Sequence, residues 1–241
     1  MSADQTTSDE AVAVDPTTQP LMIDVISDVV CPWCFVGKRQ LEQALERFRQ
    51  GHPDLPEPVV RWHPFQLNPD LPHEGIARDA YLSAKFGNAD TSAIYDRVRQ
   101  AAQAVGLELR LDAIARQPNT IRAHALISLA QDGGQDGMVE NLFEAYFQSG
   151  NDLTRDDTLI EIARASGLPE PLIEAAITDD GVHDTIRSAD AHARELGVQG
   201  VPFFIFNRQL AVSGAAGADT LLRACEQMLG AADSTAPSTA A

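Results

Sequence analysis

The sequence predicts an α/β protein in which a large all-helical domain is inserted between the two halves of a small sheet. Three observations point to this class. Short apolar, β-branched runs occur before residue 63 and after residue 196, and the first of them leads directly into a helical pattern. The stretch between them, 63–196, instead has apolar residues three and four positions apart, which is typical of amphipathic helices.

The first half of the predicted sheet carries one helix. Residues 21–27 (LMIDVIS) are β-branched and apolar except for Asp24, which fits a mostly buried strand. A helix is expected from about Cys34 to Gln50, because its apolar positions recur on one face and Gly51 closes the run. Residues 58–62 (PVVRW) are predicted to form a second strand, parallel to the first through a right-handed crossover.

The middle of the chain is predicted to contain several helices separated by turn residues, with no fixed-period repeat. Ser, Thr, Asn and Asp favour the N-cap position of a helix, where the side-chain oxygen accepts a backbone N–H. Four such residues stand just ahead of apolar runs and are expected to be caps: Thr91, Asn119, Asp156 and Asp180.

The sheet is expected to resume near the end of the chain. Strands are predicted at 201–206 and 209–212, joined by a tight turn at Asn207–Arg208, because asparagine tolerates the positive φ of a hairpin turn. A final helix at 218–229 places Cys225 on its apolar face. No other cysteine is near Cys225 in the sequence, so we interpret it as a buried packing residue.

Charge and composition exclude several classes of function. The 241-residue chain has a formal net charge of −17, which argues against binding to nucleic acid or to anionic membrane surfaces. Its three cysteines are too few for a disulfide scaffold, and no run of about 20 apolar residues could span a membrane. Residues 1–20 and 231–241 are poor in bulky apolar side chains, so a disordered leader and a disordered tail are expected. No secretory signal pattern is present, and the expected location is the cytoplasm.

The motif Cys31-Pro32-Trp33-Cys34 lies where the first predicted strand ends and the helix begins. Residues i and i+3 of a first helical turn are about 5–6 Å apart, a separation that a disulfide can bridge. Cys31 and Cys34 can therefore form a redox-active disulfide without a backbone movement. The positive end of the helix dipole favours an anionic sulfur at the first position. We expect Cys31 to be the nucleophile and Cys34 to be the resolving thiol that releases the bound partner.

Two other interpretations of this pair are open. A CxxC pair is half of a structural zinc site, but the chain has no second CxxC or HxxxH pattern, so no metal is predicted. Alternatively, the two thiols are buried and inert. Pro32 at the helix start and the strand-to-helix position favour the redox interpretation over both.

A second signal is Gly200-Val201-Pro202, which precedes an apolar run at 203–206. Proline cannot donate to a β-ladder, so it fits the start of a strand, and an X–Pro bond there can be cis. The Val201-Pro202 dipeptide alone is a weak indication of the fold. In combination with a CxxC at the end of the first strand it becomes specific, because the thioredoxin fold places a cis-proline loop against its cysteine pair.

Together these motifs resemble those of the DsbA-like thioredoxin superfamily, specifically its FrnE-type branch. The resemblance covers about residues 21–230, and its segments occur in the right order. The matching segments are SDVVCPWCFVGKR (27–39), WHPFQLNP (62–69), PNTIRAHAL (118–126), LFEAYFQSG (142–150), ELGVQGVPFFIFN (195–207) and SGA (213–215). The resemblance implies a thioredoxin-fold domain made of 21–62 and 197–230, interrupted by a helical insertion domain at 63–196.

The same resemblance implies thiol–disulfide oxidoreductase chemistry at Cys31 and Cys34, with no bound cofactor other than their disulfide. Pro202 would be the cis-proline, and the backbone of Val201 would pair with an extended peptide or with glutathione in the manner of an added strand. Glutathione is accordingly expected as a co-substrate.

Four further residues are expected to support the site. Trp33 should be partly exposed, so that it covers the disulfide and contacts a partner. Asp28 either caps the helix or relays a proton to the resolving thiol, and the cap is favoured. The resemblance implies that Asn119 and His124 face the cysteine pair from the helical domain, although a helix cap also explains Asn119.

We expect a cytoplasmic disulfide reductase or isomerase, monomeric or homodimeric, that acts on thiol- or disulfide-bearing proteins and peptides. A glutathione-reduced cytosol would keep the pair as a dithiol, which disfavours net disulfide donation. Two alternatives stay open. The related 2-hydroxychromene-2-carboxylate isomerases and kappa-class glutathione transferases carry Ser in place of Cys31, so one alternative is a glutathione-dependent isomerase or transferase of a small aromatic or polyketide-like substrate. The other is a redox-responsive binding protein.

Overall fold

The computed structural model of the protein describes residues 19–87, 92–131 and 133–234. In chain order the strands and helices are β1 (Met22–Ser27), α1 (Pro32–Gly51), β2 (Val59–Pro64), β3 (Ile76–Ala77), α2 (Arg78–Phe86), α3 (Ser92–Gln103), β4 (Arg116–Gln117), α4 (Ile121–Leu129), α5 (Gln135–Phe143), α6 (Asp156–Ala165), α7 (Glu170–Thr178), α8 (Asp180–Glu195), β5 (Phe203–Phe206), β6 (Leu210–Ser213) and α9 (Ala218–Ser234). A 3-10 turn (Leu111–Ala113) precedes β4, and a π-helical turn (Glu144–Gln148) follows α5.

The main sheet has four strands in the order β2-β1-β5-β6. β1 is parallel to β2 and antiparallel to β5, and β5 is antiparallel to β6. The prediction of one sheet built from two distant parts of the chain is therefore confirmed. β1 is a central strand, so the chain leaves its carboxyl end in the middle of the sheet, directly ahead of the cysteine motif.

Both faces of β1 are covered, which explains its nearly continuous apolar sequence. Ile23 belongs to the large hydrophobic cluster that also contains Phe48 of α1 and Leu221 of α9. On the other face Ile26 belongs to a smaller cluster with Val198, which follows α8. Full burial of one such side chain contributes about 1.5–3 kcal/mol. These clusters fix the end of β1 against α1.

The predicted hairpin between β5 and β6 is present. Asn207 and Arg208 both have positive φ, 46° and 58°, as a tight hairpin turn requires. The turn includes one more residue than expected, because Phe206 pairs with Leu210 rather than Gln209. The Asn207 side chain accepts a hydrogen bond from the first amide of β1 at 2.9 Å, which ties the turn to the centre of the sheet.

The outer edge of β2 is partly blocked. The Val59 amide donates to the carbonyl of Leu21, just before β1, and the Phe65 amide donates to that of Ser27, at the end of β1. The amides of the even-numbered residues of β2 therefore point outward. The outward amide of Trp62 donates to the side chain of Gln135 at 3.1 Å. Pro64 has no amide to offer.

Three expected helix caps differ in the structure, and the first is Asn119, since Thr120 is the residue just ahead of α4. The cap of α8 is Asp179, one residue before the predicted Asp180, and its carboxylate accepts two backbone amides of the first turn. Asp156 is the first helical residue of α6 rather than its cap, and its carboxylate instead pairs with the buried guanidinium of Arg122. Thr91 lies outside the described residues.

The helical region contains one feature that periodicity did not predict, a ribbon of two short antiparallel strands in which Ile76 pairs with Gln117. Gly75 precedes it with φ +62°, and a Cβ there would collide with the Gln117 carbonyl.

The large hydrophobic cluster continues from the sheet into the helices. The division into domains at 63 and 196 therefore stays a prediction.

The last helix continues beyond its predicted end. α9 runs to Ser234, into the segment 231–241 that composition assigns to a disordered tail. Most of the predicted leader, and the tail after residue 234, lie outside the described residues. None of the helices in the part of the chain that the structure describes is long and apolar enough to cross a membrane.

The cysteine helix is joined to the helical region by aromatic packing. Phe35, the residue after the motif, stacks on Phe143 of α5 with ring centroids 4.9 Å apart and lies 6.3 Å from Phe147. All three side chains are fully buried. The start of α1 is thus held by the helical region as well as by the sheet.

Ion pairs of a buried lysine also connect α1 to α5. The ammonium of Lys38, whose side chain is 2% exposed, pairs with Asp136 at 3.1 Å and Glu140 at 2.9 Å. It also pairs with Glu42, and Arg39 pairs with Glu140. Burial alone would lower the pKa of Lys38, but the charge of Asp136 and the hydrogen bonds with Glu42 and Glu140 raise it. Burial would likewise raise the pKa of Glu140, but its hydrogen bonds with Arg39 and Lys38 lower it.

Replacing Lys38 with methionine is expected to lower the free energy of unfolding by about 3 kcal/mol near neutral pH, because it leaves a partly buried carboxylate short of a partner. The lowered pKa of Glu140 means that its contribution is present above the ordinary value of about 4.3 and is lost as the pH falls through the folded value. The raised pKa of Lys38 means that its contribution is present below about 10.4 and is lost as the pH rises through the folded value. The destabilisation, measured by urea unfolding, should be largest between these limits.

Arg155→Met is a matched control, because Arg155 pairs with Asp157 on the exposed surface. It should change the unfolding free energy much less, at every pH. A Lys38→Met protein that unfolds at the same urea concentration as the control would contradict a stabilising role for the buried charges.

Candidate active site

Cys31 occupies the N-cap position of α1, and Pro32 is the first helical residue. The helix thus begins two residues earlier than predicted, because proline is well suited to the first helical position. The Cys34 amide donates to the Cys31 carbonyl at 3.0 Å, which places the two cysteines on the same first turn. No acidic residue lies in that turn. The positive end of the helix dipole therefore acts on Cys31 with no carboxylate in the same turn to offset it.

The thiol of Cys31 faces the loop before β5. Its Sγ donates to the carbonyl oxygen of Val201 at 3.5 Å. The Val201–Pro202 peptide bond is cis. The Pro202 carbonyl accepts the amide of Gly214 at 2.8 Å, and Gly214 has φ +77°, a conformation that favours glycine. The SGA segment noted in the sequence therefore holds the proline loop in place.

α1 approaches the proline loop closely at Gly37. A Cβ at this position would lie 2.9 Å from Cγ of Pro202 and 3.2 Å from Cζ of Phe204. Only a residue without a side chain fits this gap. No role for Gly37 was predicted from the sequence, although a glycine inside a helical pattern is a signal of close packing.

Cys34 lies behind Cys31 and is 1% exposed. Burial raises the pKa of the Cys34 thiol well above its ordinary value, and the adjacent Cys31 sulfur raises it further. Hydrogen bonds from the Ser27 side chain and the Asp28 backbone act in the opposite direction but do not offset burial. At neutral pH Cys34 is therefore a protonated thiol, and it must lose a proton before it can attack.

Asp28 is fully buried and its carboxylate turns away from the helix. One oxygen accepts the amide of Leu67 at 2.8 Å, and the other lies 3.3 Å from Nε2 of His124 on α4. No side chain caps α1. The favoured interpretation of Asp28 as a helix cap is therefore wrong, because its carboxylate is engaged by the loop after β2 and by α4. His124 is only 3% exposed and its ring contacts Asp28, three residues before Cys31; that it faces the cysteine pair itself stays a prediction.

Asn119 joins the loop after β2 to the start of α4. Its side-chain oxygen accepts the Ile121 amide at 3.0 Å and the Gln66 side chain at 3.1 Å, and its nitrogen donates to the Leu71 carbonyl at 2.7 Å. Asn119 is not the expected N-cap of α4, because Thr120 occupies that position and Asn119 lies one residue before it. These contacts of Asn119 serve the loop, and among the described residues none of its hydrogen bonds reaches the cysteine pair.

Trp33 is the exposed member of the motif, with 36% of its surface accessible. This agrees with the expected partial exposure.

The third cysteine, Cys225, is fully inaccessible to solvent, and burial raises the pKa of its thiol to about 12. That environment suits a packing residue. Among the described residues, no cluster of three or more His, Cys, Asp or Glu side chains is arranged to hold a metal ion.

A cleft of about 590 Å³ lies between the edge strand β2 and the helices α4, α5 and α8. Its lining reaches the turn behind the cysteine pair through Ser27, Val29 and His124, but it includes neither cysteine of the pair. We name it the rear cleft. Ser27 lines the rear cleft, and its side chain is hydrogen-bonded to the Cys34 sulfur. No role for Ser27 was predicted from the sequence.

A CxxC pair that begins a helix after a central strand and faces a cis-proline loop is characteristic of thioredoxin-fold proteins. A model of the DSBA-like thioredoxin domain family matches residues 22–226. The chain belongs to this family.

Individual relatives agree with this assignment. YwbO, an uncharacterized protein of Bacillus subtilis (strain 168), is 28% identical over 205 residues, which cover 84% of this chain and 94% of that protein. The crystal structure of a "probable DsbA oxidoreductase" from Streptomyces coelicolor matches with a TM-score of 0.76 and 30% identity, over 87% of this chain and 90% of that one. The cytosolic disulfide reductase DsbM from Pseudomonas aeruginosa, solved with glutathione (GSH), has the same fold with a TM-score of 0.59 and 17% identity, over 87% of this chain and 99% of that one.

Proposed function

We propose that the protein is a thiol–disulfide oxidoreductase of the FrnE type that works through Cys31-Pro32-Trp33-Cys34. Cys31 is the attacking thiol and Cys34 is the resolving thiol. The proposal depends above all on one observation: Cys31 caps a helix and faces the Val201 carbonyl, while Cys34 lies buried one turn behind it. This asymmetry assigns different tasks to two chemically identical side chains.

The reaction takes place in two exchanges. The Cys31 thiolate attacks one sulfur of a partner disulfide, so that a mixed disulfide forms and the other partner sulfur leaves as a thiolate. The Cys34 sulfur, once deprotonated, attacks Sγ of Cys31. The Cys31–Cys34 disulfide forms, the mixed disulfide breaks, and the second partner sulfur leaves. The partner has gained two electrons and two protons, and the cysteine pair has lost them.

An extended partner would approach along the proline loop. Val201 is partly exposed, and its carbonyl already lies within reach of the Cys31 sulfur. A peptide that pairs with this backbone would bring its own sulfur to Cys31 in strand-addition fashion. Trp33, exposed beside the thiol, supplies apolar area for the same partner.

Glutathione is the proposed electron donor, and the cytoplasm is the proposed location. The DsbM structure with bound GSH, described as a cytosolic disulfide reductase, supports both for a protein of this fold. Two glutathione molecules would return the oxidised pair to the dithiol, with release of glutathione disulfide. Reduction or isomerisation of partner disulfides then follows from the reduced state of the pair in such a compartment.

The wild-type protein tests this proposal through reduction of insulin by glutathione, followed by precipitation of the freed insulin B chain. We expect a rate that rises in proportion to protein concentration. In a parallel assay with glutathione and a small aromatic electrophile, we expect no turnover, since neither cysteine lines the rear cleft.

Turnover of the small electrophile without insulin reduction would contradict the proposal in favour of a glutathione-dependent isomerase or transferase. The absence of both activities, together with a partner that binds only one redox state, would favour a redox-responsive binding protein.

A further inference from the structure

The buried environment of Cys34 raises a question that the two-step exchange does not answer, namely where its proton goes. Cys31 lies beside Cys34 on the substrate side, and a partner joined to Cys31 in a mixed disulfide covers that side as well. Cys34 is 1% exposed, and Ser27, its hydrogen-bond partner, is 6% exposed. Transfer directly to bulk water from the substrate side is therefore blocked at the moment when the proton must leave.

The rear cleft provides a second way out. Ser27 lines this cleft and also hydrogen-bonds to the Cys34 sulfur, so a single hydroxyl connects the thiol to a space of about 590 Å³. A cleft of this volume has room for water, and polar side chains of its lining such as His63, Ser128 and Asp136 can hydrogen-bond to it. His124 lines the same cleft.

The side chain of His124 is positioned by Asp28. Its Nε2 lies 3.3 Å from the fully buried carboxylate of Asp28. With Nε2–H donating to this carboxylate, Nδ1 is the ring nitrogen left to accept a hydrogen bond or a proton. Asp28 is fixed in turn by the Leu67 amide at 2.8 Å.

We propose that the rear cleft is the exit route for the proton of Cys34, with Ser27 as the hydroxyl beside the sulfur and His124 as the proton acceptor on the cleft wall. This inference rests on the proposed function and adds the proton-transfer path of its second step. Ser27 takes the proton of Cys34 as it passes its own to cleft water, and that water passes one on to His124. The Cys34 thiolate then attacks Sγ of Cys31, and the departing partner thiolate takes a proton from bulk water.

The other ionisable groups that face the cleft have different partners. His63 on β2 lies 2.7 Å from Asp24, and Asp136 on α5 pairs with Lys38 at 3.1 Å. Arg61 on β2 is a permanent cation. His63 is therefore a matched control for His124, since both are histidines of the same cleft paired with an aspartate of the β1 region, and His63 has no contact with Asp28.

The test uses reduced full-length protein and dithiobis(nitrobenzoate), an aromatic disulfide that releases a coloured thiolate. The first release depends on reagent concentration and reports attack by Cys31. The second is independent of reagent concentration and reports attack by Cys34 on the mixed disulfide. Near neutral pH, His124→Gln should leave the first phase unchanged and slow the second on the order of 100-fold. The deficit should shrink as the pH rises, because hydroxide can then remove the proton.

Two further variants sharpen the test. Imidazole in the buffer should restore the second phase of His124→Ala, because the rear cleft admits a molecule of that size. Ser27→Ala should also slow the second phase, and the Ser27→Ala, His124→Gln double variant should be no slower than the slower single one, since both act on one path. His63→Gln should match the wild type in both phases.

A second phase of His124→Gln equal to that of the wild type at every pH would overturn the proposal. So would a deficit that is the same at every pH and is not relieved by imidazole, because that behaviour belongs to a purely structural role. If the wild type shows neither phase, the proposed function itself fails, and this inference fails with it.

Discussion

Cys31→Ser is expected to reduce disulfide exchange to the rate of the protein-free reaction, whereas Cys34→Ser should stop it after one covalent step. Serine at position 31 cannot form the attacking thiolate at neutral pH. Serine at position 34 leaves that attack intact but removes the thiol that would release the partner. Mass spectrometry of Cys34→Ser incubated with glutathione disulfide should therefore show one glutathione attached, and digestion should place it on Cys31.

Cys225→Ala is the matched control for both variants, because the third cysteine is buried on α9 and has no part in the proposed reaction. It should exchange disulfides at the wild-type rate. Trapped glutathione on Cys34 in the Cys31→Ser protein, at the yield seen for the reciprocal variant, would mean that the roles of the two thiols are reversed.

Gly37→Ala is expected to lower both stability and activity. Alanine favours the helix interior by about 1 kcal/mol relative to glycine, so on an open helix face the change would stabilise. Here the new methyl group would lie 2.9 Å from the ring of Pro202. Overpacking of this kind costs about 1–3 kcal/mol. We expect a lower midpoint of urea unfolding and, because the proline loop moves relative to the Cys31 sulfur, a loss of exchange rate of order 100-fold.

Gly51→Ala separates the clash from the helix propensity. Gly51 lies in the same helix, and a Cβ there would meet no atom within 4 Å. This control should be as stable as the wild type or more so, with unchanged exchange. If Gly37→Ala behaves like Gly51→Ala in both measurements, the close approach of α1 to the proline loop has no functional weight.

The parts of the site that the sequence predicted are those that local patterns determine. A strand that ends shortly before Cys31, a proline that begins a helix and an apolar run after Pro202 can each be identified within a few residues. The hairpin at Asn207 belongs to the same group, since one residue type tolerates its backbone conformation.

The parts that the sequence did not predict depend on contacts between distant residues. Asp28 and His124 are 96 positions apart, and nothing local distinguishes a carboxylate that caps a helix from one that binds a histidine of another helix. The same holds for Gly37, whose meaning depends on Pro202. At the start of α8 the sequence offers two consecutive aspartates as the helix cap. The residue type does not distinguish them, and the backbone conformation makes Asp179 the cap.

The blocked edge of β2 has a consequence for partner selection. Exposed strand edges recruit extended chains without regard to sequence. The side chain of Gln135 occupies one outward amide of this edge, and Pro64 removes another. An incoming chain is thereby discouraged from adding itself far from the sulfur chemistry and from polymerising with the sheet. Under the proposed function, partners instead pair at the loop before β5, where Val201 lies beside Cys31.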